Sequence, residues 1–529
     1  MAPAVQRQGR EIVPLISWKE LMDWKEPPDC IEEIVNGTAL MPRAPSYTQK
    51  QLKTLVCHDL KGGYLDDRFY SGCCNKNAYR FYNWSGVDIF IYFSHHLLTI
   101  PPPCWVNAAH LHGVKVLGTF ITEWEAGAVI CQKLLCNEES INLCVSQMVK
   151  IAQYHHLEGW FINIENAIDV NKIDNLVIFI KKLTTAMHEV NPESLVLWYD
   201  SVTKEGKLDW QNELNVLNRC FFDACDGIFL NYTWTHEHLK RTRDAAGNRN
   251  SDVFVGVDVF GRNFYEGGKF NTYKAFAEAR SQELSAALFA QGWTYENQDD
   301  FEGNEEKLWK SLSPYLFYHG PRSLPFRTSF CQGVGEKKFF RGECKETGDW
   351  FNLSLQQYQP IWANEAHVKM EFTQTDGYNG GGCLQLATTA PATVRLFICE
   401  MKWQVALLTT VVYKWCEAPV PLSLVLQFDV NPKDEKSLVR QRVEVLALEG
   451  NSEYTNAAGC EKERNVMLVE QSSLAEKVVE TEKEGWMIKT FSVREEGLTL
   501  KQANIRLEGA SSLLLGSIDL QNICTKGLQ

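Results

Sequence analysis

The chain has 529 residues, of which 45% are hydrophobic, and a formal net charge of −13 at pH 7. This length exceeds one ordinary hydrophobic core and predicts two or three domains, while the acidic balance argues against nucleic-acid binding, which needs a basic surface. The 17 cysteines show no repeated metal-ligand spacing and are too dilute for a disulfide scaffold, so reduced thiols are expected.

Residues 1–50 are polar and contain several prolines, and they predict an extension with one amphipathic stretch at 18–24. They contain no apolar segment of signal-peptide length. The best membrane-span candidate, at 392–415, is interrupted by Arg395, Glu400 and Lys402. We therefore expect a cytosolic chain without a membrane span. No metal or cofactor is expected either, because neither an HExxH motif nor zinc-finger spacing is present.

Eight apolar runs begin near residues 52, 88, 115, 159, 194, 226, 252 and 285, and each ends in polar or aromatic residues. Helix-like segments at 140–155, 171–190, 212–222 and 272–283 separate several of these runs. Eight alternating strands and helices predict an α/β fold of the (β/α)8 TIM-barrel type over residues 51–344. An open doubly wound sheet is the competing architecture, but no GxGxxG motif follows the first run.

From residue 345 to 529 the pattern changes to short alternating segments, such as 393–397, 405–413 and 423–429, which predict an all-β sandwich. Residues 376–386 predict a turn that leads into a strand, and residues 505–523 predict closing strands. The charge-rich stretches 433–442 and 451–483 predict surface loops or hairpins. The sandwich either binds carbohydrate or supports the barrel.

The fourth run, EGWFINIEN at 158–166, places an amide and a carboxyl side chain two residues apart. It is short, β-branched and aromatic, which predicts a strand. Strand alternation then directs Phe161, Asn163 and Glu165 to one face and Ile162 and Ile164 to the other. The Cα atoms of Asn163 and Glu165 would lie roughly 6 to 7 Å apart, a spacing at which both side chains can touch one sugar ring.

Polar and aromatic residues end the other runs and are expected to face the same barrel mouth, because catalytic groups of such barrels lie at the carboxyl ends of the strands. These residues include Asp59, His95, Glu123, Asp200 and Asp258. Asp258 either binds a sugar hydroxyl or fixes Arg262. For four tryptophans, packing in the core or at the rim is favoured over stacking on a sugar: Trp105, Trp124, Trp198 and Trp293.

Several segments together resemble glycoside hydrolase family 85, the endo-β-N-acetylglucosaminidases, and in particular its cytosolic members. They are CHDLKGGYLDDR (57–68), YFSHH (92–96), GTFITEW (118–124), EGWFINIEN (158–166), LWYDS (197–201), WQNELN (210–215), FLNYTW (229–234), GVDVFGRN (256–263), ALFAQGWTYE (287–296) and WFNLSLQQYQP (350–360). The resemblance implies cleavage between the two N-acetylglucosamine units of the chitobiose core of N-linked oligosaccharides, glycopeptides and free oligosaccharides, with retention of configuration.

Carried over residue by residue, the resemblance implies that Glu165 is the general acid and then the base. Asn163 is implied to be the partner of the substrate's 2-acetamido group. The residues that we include as candidate substrate contacts are Tyr199, Trp210, Trp234, Asn231, Trp124 and His58.

The amide at residue 163 constrains the mechanism, because a retaining glycosidase ordinarily uses a second carboxylate as nucleophile. An N-acetylglucosamine unit carries its own nucleophile in the acetamido carbonyl, and attack by that oxygen gives an oxazolinium-type intermediate. The amide either accepts from the acetamido N–H or stabilises the imidic-acid tautomer. Glu165 then needs a pKa above that of a solvated carboxyl, and burial among aromatic rings is expected to raise it.

Family 18 chitinases, which carry DGxDxDxE on the fourth strand, have acidic residues where this chain has Phe161 and Asn163. This difference argues against ordinary chitinase activity. Two rival hypotheses remain: a chitinase-like hydrolase, and a glycan-binding protein without catalytic activity. The chitinase-like hydrolase would cut chitin oligomers rather than N-glycans, and the glycan-binding protein would bind glycans without turnover.

Overall fold

The structure is a computed structural model that describes residues 10–27, 34, 37–44, 52–262, 264–296, 299–362, 366–430, 440–450, 475–494 and 497–523. Within these ranges the chain forms a closed parallel barrel followed by antiparallel sheets. No helix of the described residues is long and apolar enough to cross a membrane.

Eight strands form the barrel, and all eight predicted apolar runs contain one of them. The strands are β1 (Thr54–His58), β2 (Ile89–Tyr92), β3 (Lys115–Glu123), β4 (Gly159–Glu165), β5 (Leu195–Tyr199), β6 (Gly227–Leu230), β7 (Val253–Asp258) and β8 (Ser285–Phe289). Each strand pairs in parallel with the next, and β8 pairs in parallel with β1. The barrel is therefore closed, which confirms the predicted fold class and excludes an open sheet.

The helices that the structure describes are α1 (Trp18–Met22), α2 (Pro103–Leu111), α3 (Trp124–Leu134), α4 (Glu138–Tyr154), α5 (Ile173–Val190), α6 (Arg219–Phe222), α7 (His236–Ala246), α8 (Thr272–Ser281), α9 (Trp293–Glu296) and α10 (Phe301–Leu312). The predictions at 140–155, 171–190 and 272–283 correspond to α4, α5 and α8. In α5, buried Leu176, Ile180, Leu183 and Met187 recur at helical spacing, which gives the helix one apolar face.

The helix predicted at 212–222 is wrong over most of its length, because only residues 219–222 form a regular helix. Asn212 has a positive φ of 58°, which an α-helix does not accommodate. The Asn215 side chain accepts from the backbone N–H of Leu217, and the Asn218 side chain accepts from that of Asn215. These local bonds compete with helical hydrogen bonds and hold the segment as a loop.

Both faces of the barrel strands are buried. Alternate residues such as Leu55, Cys57 and Phe161 pack in the barrel interior, whereas Val56 and Ile162 face the surrounding helices. The predicted alternation in β4 is confirmed, because Phe161 belongs to the interior cluster and Ile162 to the outer one.

The described part of the amino-terminal region packs on the barrel helices. Leu21 in α1 is fully buried, and the Gln147 amide in α4 donates to the carbonyls of Met22 and Trp24 over 2.9 Å each. The stretch predicted at 18–24 is thus helical at Trp18–Met22. The predicted boundaries of the extension, barrel and sandwich remain predictions.

The carboxyl-terminal strands are β9 (Phe326–Thr328), β10 (Val334–Phe340), β11 (Glu343–Phe351), β12 (Val368–Thr373), β13 (Cys383–Thr388), β14 (Ala392–Lys402), β15 (Ala406–Trp415), β16 (Leu422–Val430), β17 (Arg440–Glu449), β18 (Ala475–Lys483), β19 (Trp486–Val493), β20 (Leu498–Leu507) and β21 (Ser511–Ile523). One sheet has the order β12-β13-β21-β15-β19-β18 with β9 beside β21, and a second has the order β14-β20-β16-β17. One apolar cluster joins the two sheets, as in a sandwich. A smaller sheet contains β11, β10 and residues 379–380.

The three predicted segments 393–397, 405–413 and 423–429 lie in β14, β15 and β16, apart from residue 405. The turn that precedes β13 and the closing strands β20 and β21 are also present. Parts of the two stretches predicted as surface loops or hairpins are strands, since β17 begins at residue 440 and β18 covers 475–483. Residues 433–439 and 451–474 of those stretches lie outside the described residues.

Candidate active site

Asn163 and Glu165 lie together at the carboxyl end of β4, on the interior face of the barrel. The Asn163 Nδ2 atom donates to Oε1 of Glu165 over 2.9 Å. Asn163 is 2% exposed, and its Oδ1 atom is buried with no hydrogen-bond partner among the described residues. A buried carbonyl without a donor is costly, so this atom is available to a donor from a bound molecule.

The Glu165 carboxyl is partly buried, and burial raises its pKa above the ordinary value for glutamate. The nearby Glu123 carboxylate raises this pKa further, whereas the hydrogen bond from Asn163 and the charge of His95 lower it. Burial is the largest of these effects. A raised pKa is the direction of shift that suits a general acid.

Glu123 and His95 extend the site across two neighbouring strand ends. Glu123 pairs with Glu165 in the β3–β4 register, and His95 Nδ1 lies 3.1 Å from both carboxylate oxygens of Glu123. The hydrogen bond to Glu123 raises the pKa of His95. The sequence placed both residues at the mouth without assigning them a role, since only the structure shows that they contact each other.

Tyr199 lies at the end of β5 on the same interior face. Its hydroxyl donates to Oδ1 of Asn231, which follows β6, over 2.8 Å. Burial raises the pKa of Tyr199 well above its ordinary value, and the Glu165 charge raises it further. The hydroxyl therefore keeps its proton at neutral pH. Tyr199 thus lies near Glu165, and its hydrogen bond links it to the other predicted contact, Asn231.

The loop that carries Trp210 is held by a buried carboxylate. Asp200 is 1% exposed, and it accepts from the backbone N–H of Asn212 over 2.7 Å and from the Asn218 amide over 2.9 Å. Burial raises the pKa of Asp200 to about 6, although these donors oppose the shift. Trp210 itself is 38% exposed, so its ring is open to a ligand.

The other two predicted tryptophan contacts differ in exposure. Trp234 is only 3% exposed, donates from Nε1 to the Gly256 carbonyl over 2.8 Å, and stacks on Tyr265 at 4.9 Å between ring centroids. It forms a wall rather than an open platform. Trp124 is 75% exposed and directly follows Glu123 at the start of α3. Its ring is accessible beside the mouth.

His58 is not brought to the mouth, and its prediction as a substrate contact is corrected. Cys57 occupies the interior face of β1, so the next residue points outward. There His58 is 1% exposed, stacks on Tyr79 at 5.2 Å, and binds the Gln291 amide through Nδ1 at 2.9 Å. Burial lowers its pKa to about 3, so it is a neutral core histidine.

Asp258 has the structural role that the sequence left open. Its two carboxylate oxygens each accept from the Arg262 guanidinium over 3.0 Å, and it is 2% exposed. Among the described residues, no group of three or more His, Cys, Asp or Glu side chains is arranged to hold a metal ion.

The closed barrel with an amide and a carboxyl at the mouth end of β4 defines the class as a (β/α)8-barrel glycoside hydrolase. The family model for glycosyl hydrolase family 85 matches residues 64–338. The chain belongs to this family.

Proteins with the name cytosolic endo-beta-N-acetylglucosaminidase are similar in sequence. The Gallus gallus protein is 46% identical over 377 residues, which cover 70% of this chain and 52% of that protein. The Danio rerio protein is 39% identical over 508 residues, which cover 93% of this chain and 69% of that protein. The chain spans about half the length of the Gallus gallus and Mus musculus relatives that it matches, at 52% and 53%.

Among solved structures, the glycoside hydrolase domain of Endo-D from Streptococcus pneumoniae is similar in fold. It superposes with a TM-score of 0.73 at 18% sequence identity, and the match covers 97% of this chain and 83% of that chain. At this identity the match supports the barrel and the antiparallel region as a fold.

Proposed function

We propose that this chain is an endo-β-N-acetylglucosaminidase that hydrolyses the β-1,4 bond between the two N-acetylglucosamine units of the chitobiose core. Its substrates would be N-linked glycans, glycopeptides and free oligosaccharides. The observation that carries the proposal is the hydrogen-bonded pair of Asn163 and Glu165 at the end of β4. Membership of family 85 and the names of the relatives support the same activity.

The proposed reaction is substrate-assisted and retains the anomeric configuration. The acetamido carbonyl oxygen of the sugar attacks the anomeric carbon while Glu165 gives its proton to the departing glycosidic oxygen. The resulting oxazolinium ring carries positive charge. The Glu165 carboxylate and the Asn163 amide would face this charge. Water then attacks the anomeric carbon from the face opposite to the acetamido oxygen and gives a proton to Glu165. The bond between the acetamido oxygen and the anomeric carbon breaks, which opens the oxazolinium ring. Two inversions give net retention.

This mechanism matches the chemistry of the two side chains. Asn163 cannot act as a nucleophile, but its buried Oδ1 atom is an unpaired acceptor for the acetamido N–H. Glu165 has a pKa raised by burial, which suits a general acid. Tyr199 lies near Glu165 and is hydrogen-bonded to Asn231, and the exposed rings of Trp124 and Trp210 are proposed to bind sugar faces.

We further propose a cytosolic location, since the similar relatives are named cytosolic. Residues 51–344 would be the catalytic barrel and residues 345–529 the sandwich, preceded by the extension at 1–50. Neither a cofactor nor a metal ion takes part in the proposed reaction.

Mass spectrometry of a defined high-mannose N-glycopeptide after incubation with the protein tests this function. The expected product is a peptide that retains a single N-acetylglucosamine on the asparagine, together with the released oligosaccharide. Cleavage of chitin oligomers in preference to the glycopeptide would favour a chitinase-like hydrolase. Binding of the glycopeptide without turnover would favour a carbohydrate-binding protein.

A further inference from the structure

Asn212, in the loop between β5 and α6, lies at the centre of a hydrogen-bond network that leads to Tyr199. Its Oδ1 atom accepts from the backbone N–H of Thr233 over 3.0 Å, from the Thr233 hydroxyl over 2.8 Å and from Asn231 Nδ2 over 2.8 Å. Its own Nδ2 donates to the Trp210 carbonyl over 3.1 Å.

Two backbone groups determine which way the Asn212 amide points. A backbone N–H only donates and a backbone carbonyl only accepts, so the oxygen of Asn212 must face Thr233 and its nitrogen must face Trp210. The opposite orientation would pair donor with donor and acceptor with acceptor, and each such mismatch is costly.

The orientation of the Asn212 amide fixes that of the Asn231 amide, which in turn fixes the direction of the Tyr199 O–H bond. Because Asn212 presents an acceptor, Asn231 must turn its Nδ2 toward it, and the Asn231 Oδ1 atom then faces the Tyr199 hydroxyl at 2.8 Å. Tyr199 has one proton, which must point to that oxygen. The Tyr199 oxygen also adjoins the Tyr232 hydroxyl, and only acceptor capacity remains for a ligand.

The backbone around this network is also held in place. Asp200 accepts from the backbone N–H of Asn212 and is hydrogen-bonded by the backbone of Asn231. Asn212 adopts a φ of 58°, a left-handed conformation that asparagine tolerates better than most residues. Asparagine therefore suits this position both in its backbone conformation and in its side-chain amide.

We propose that Asn212 is a positioning residue that orients Asn231 and so directs the Tyr199 proton, which leaves Tyr199 to meet the sugar as a hydrogen-bond acceptor. This inference rests on the proposed function. An acceptor at this place disfavours the acetamido carbonyl, while the acetamido N–H is left to the unpaired Asn163 Oδ1 atom. The carbonyl oxygen, which is the proposed nucleophile, is then not hydrogen-bonded by Tyr199 and keeps its electron density for the anomeric carbon.

A neutron crystal structure of the deuterium-exchanged protein tests the direction of the network without any assay of activity. The expected result is a deuteron on Tyr199 that points to Asn231 Oδ1, with two deuterons on Asn231 Nδ2, one of them directed to Asn212. A Tyr199 deuteron that points into the barrel mouth would overturn the proposal. This measurement stands even where the protein fails to cleave the glycopeptide, so that failure bears on the proposed function alone.

A double-mutant cycle on the glycopeptide tests the positioning role. Asn212→Gly removes the amide and tolerates the positive φ, and loss of one oriented hydrogen bond is expected to lower kcat by about tenfold with a smaller change in KM. In a Tyr199→Phe background the same substitution is expected to have little further effect. Asn212→Asp keeps an acceptor oxygen toward Thr233 and Asn231 but turns its other oxygen to the Trp210 carbonyl, so its kcat is expected to lie between those of Asn212→Gly and wild type.

Gln211→Ala is the control in the same loop, because the Gln211 side chain binds only Asp209 and Asn215 of that loop among the described residues. It is expected to leave kcat within about twofold of wild type. Equal losses from Asn212→Gly with and without the Tyr199 hydroxyl would contradict the proposal. So would a loss in Gln211→Ala as large as that in Asn212→Gly.

Discussion

The Asn163 amide donates to the Glu165 carboxyl over 2.9 Å, while the Asn163 carbonyl has no partner among the described residues. The hydrogen bond favours the charged form of Glu165, and burial favours the neutral form and has the larger effect on the pKa. The pair therefore combines a carboxyl whose pKa is raised with an acceptor that has no partner among the described residues. Substrate-assisted cleavage needs both groups at one place.

Glu165→Gln removes the proposed general acid and keeps the size of the side chain. Because proton transfer of this kind contributes about 10² to 10⁴-fold, kcat for glycopeptide cleavage is expected to fall by that order. Thermal unfolding should stay near that of wild type, since the Asn163 amide can still donate to the side-chain carbonyl of the substituted residue. Near-normal release of the oligosaccharide by this variant would refute the assignment.

Asn163→Ala separates formation of the intermediate from its use. Loss of the amide is expected to lower hydrolysis of the glycopeptide by about 10² to 10³-fold, as for other groups that stabilise developing charge. A preformed sugar oxazoline should still be accepted, because Glu165 remains to assist the incoming group. Product formation from the two donors is compared by liquid chromatography. Equal losses with both donors would mean that Asn163 only stabilises the barrel.

Glu123 and His95 have opposite effects on the pKa of Glu165, which predicts opposite shifts in the pH profile. The Glu123 charge raises this pKa and the His95 charge lowers it. A general acid is active below its pKa, so Glu123→Gln should move the alkaline limb of kcat/KM to lower pH. His95→Asn should move it to higher pH. Profiles measured across the acidic to mildly alkaline range check both signs, and shifts in the same direction would contradict this assignment.

Trp124 provides a test of sugar stacking that stability does not confound. Its side chain is 75% exposed, so Trp124→Ala removes little packing and should not change the unfolding temperature. If the ring stacks on a sugar, KM should rise by up to about tenfold, since an aromatic contact contributes roughly 0.5 to 1.5 kcal/mol. Val190→Ala is the control, because Val190 is 47% exposed and ends α5, at the end of the barrel opposite the mouth.

The fold and the central pair of the site follow from sequence because they rest on strand order and strand parity. Eight apolar runs with polar ends define the barrel, and β4 alternates as predicted between Phe161 and Ile162. The parity of β1 was not predictable, since strands of a parallel barrel are apolar on both faces and nothing in LVCH distinguishes them. His58 was misplaced for that reason.

Contacts between segments that are distant in the chain are a second feature that the sequence does not reveal. The segment 212–222 has helix-like apolar spacing, but the side chains of Asp200, Asn215 and Asn218 bind its backbone and prevent a helix. Similarly, Glu123 and His95 lie 28 residues apart, and the pairing of β2 with β3 brings them together. Local pattern is overridden wherever tertiary hydrogen bonds satisfy the backbone.

Glu305 in α10 predicts a pH dependence of stability that is independent of catalysis. Its side chain is fully buried, and it accepts from the Thr294 hydroxyl over 2.7 Å and from Trp309 Nε1 over 2.8 Å. Burial raises its pKa to about 7. Because the folded state binds this proton more tightly than the unfolded chain, the contribution is favourable below the unfolded pKa of about 4.3. It is lost progressively as pH rises to about 7.

Glu305→Gln tests this linkage, since an amide fits the same partners: its oxygen accepts from Trp309 and its nitrogen donates to the Thr294 hydroxyl. The free energy of unfolding of wild type relative to the variant should fall by on the order of 3 kcal/mol between about pH 4.5 and about pH 8. Urea unfolding followed by tryptophan fluorescence measures this difference. Glu189→Gln, which removes an exposed carboxyl from α5, should show no comparable trend. Parallel wild-type and Glu305→Gln curves would mean that the Glu305 carboxyl has the same proton affinity in the folded and unfolded states.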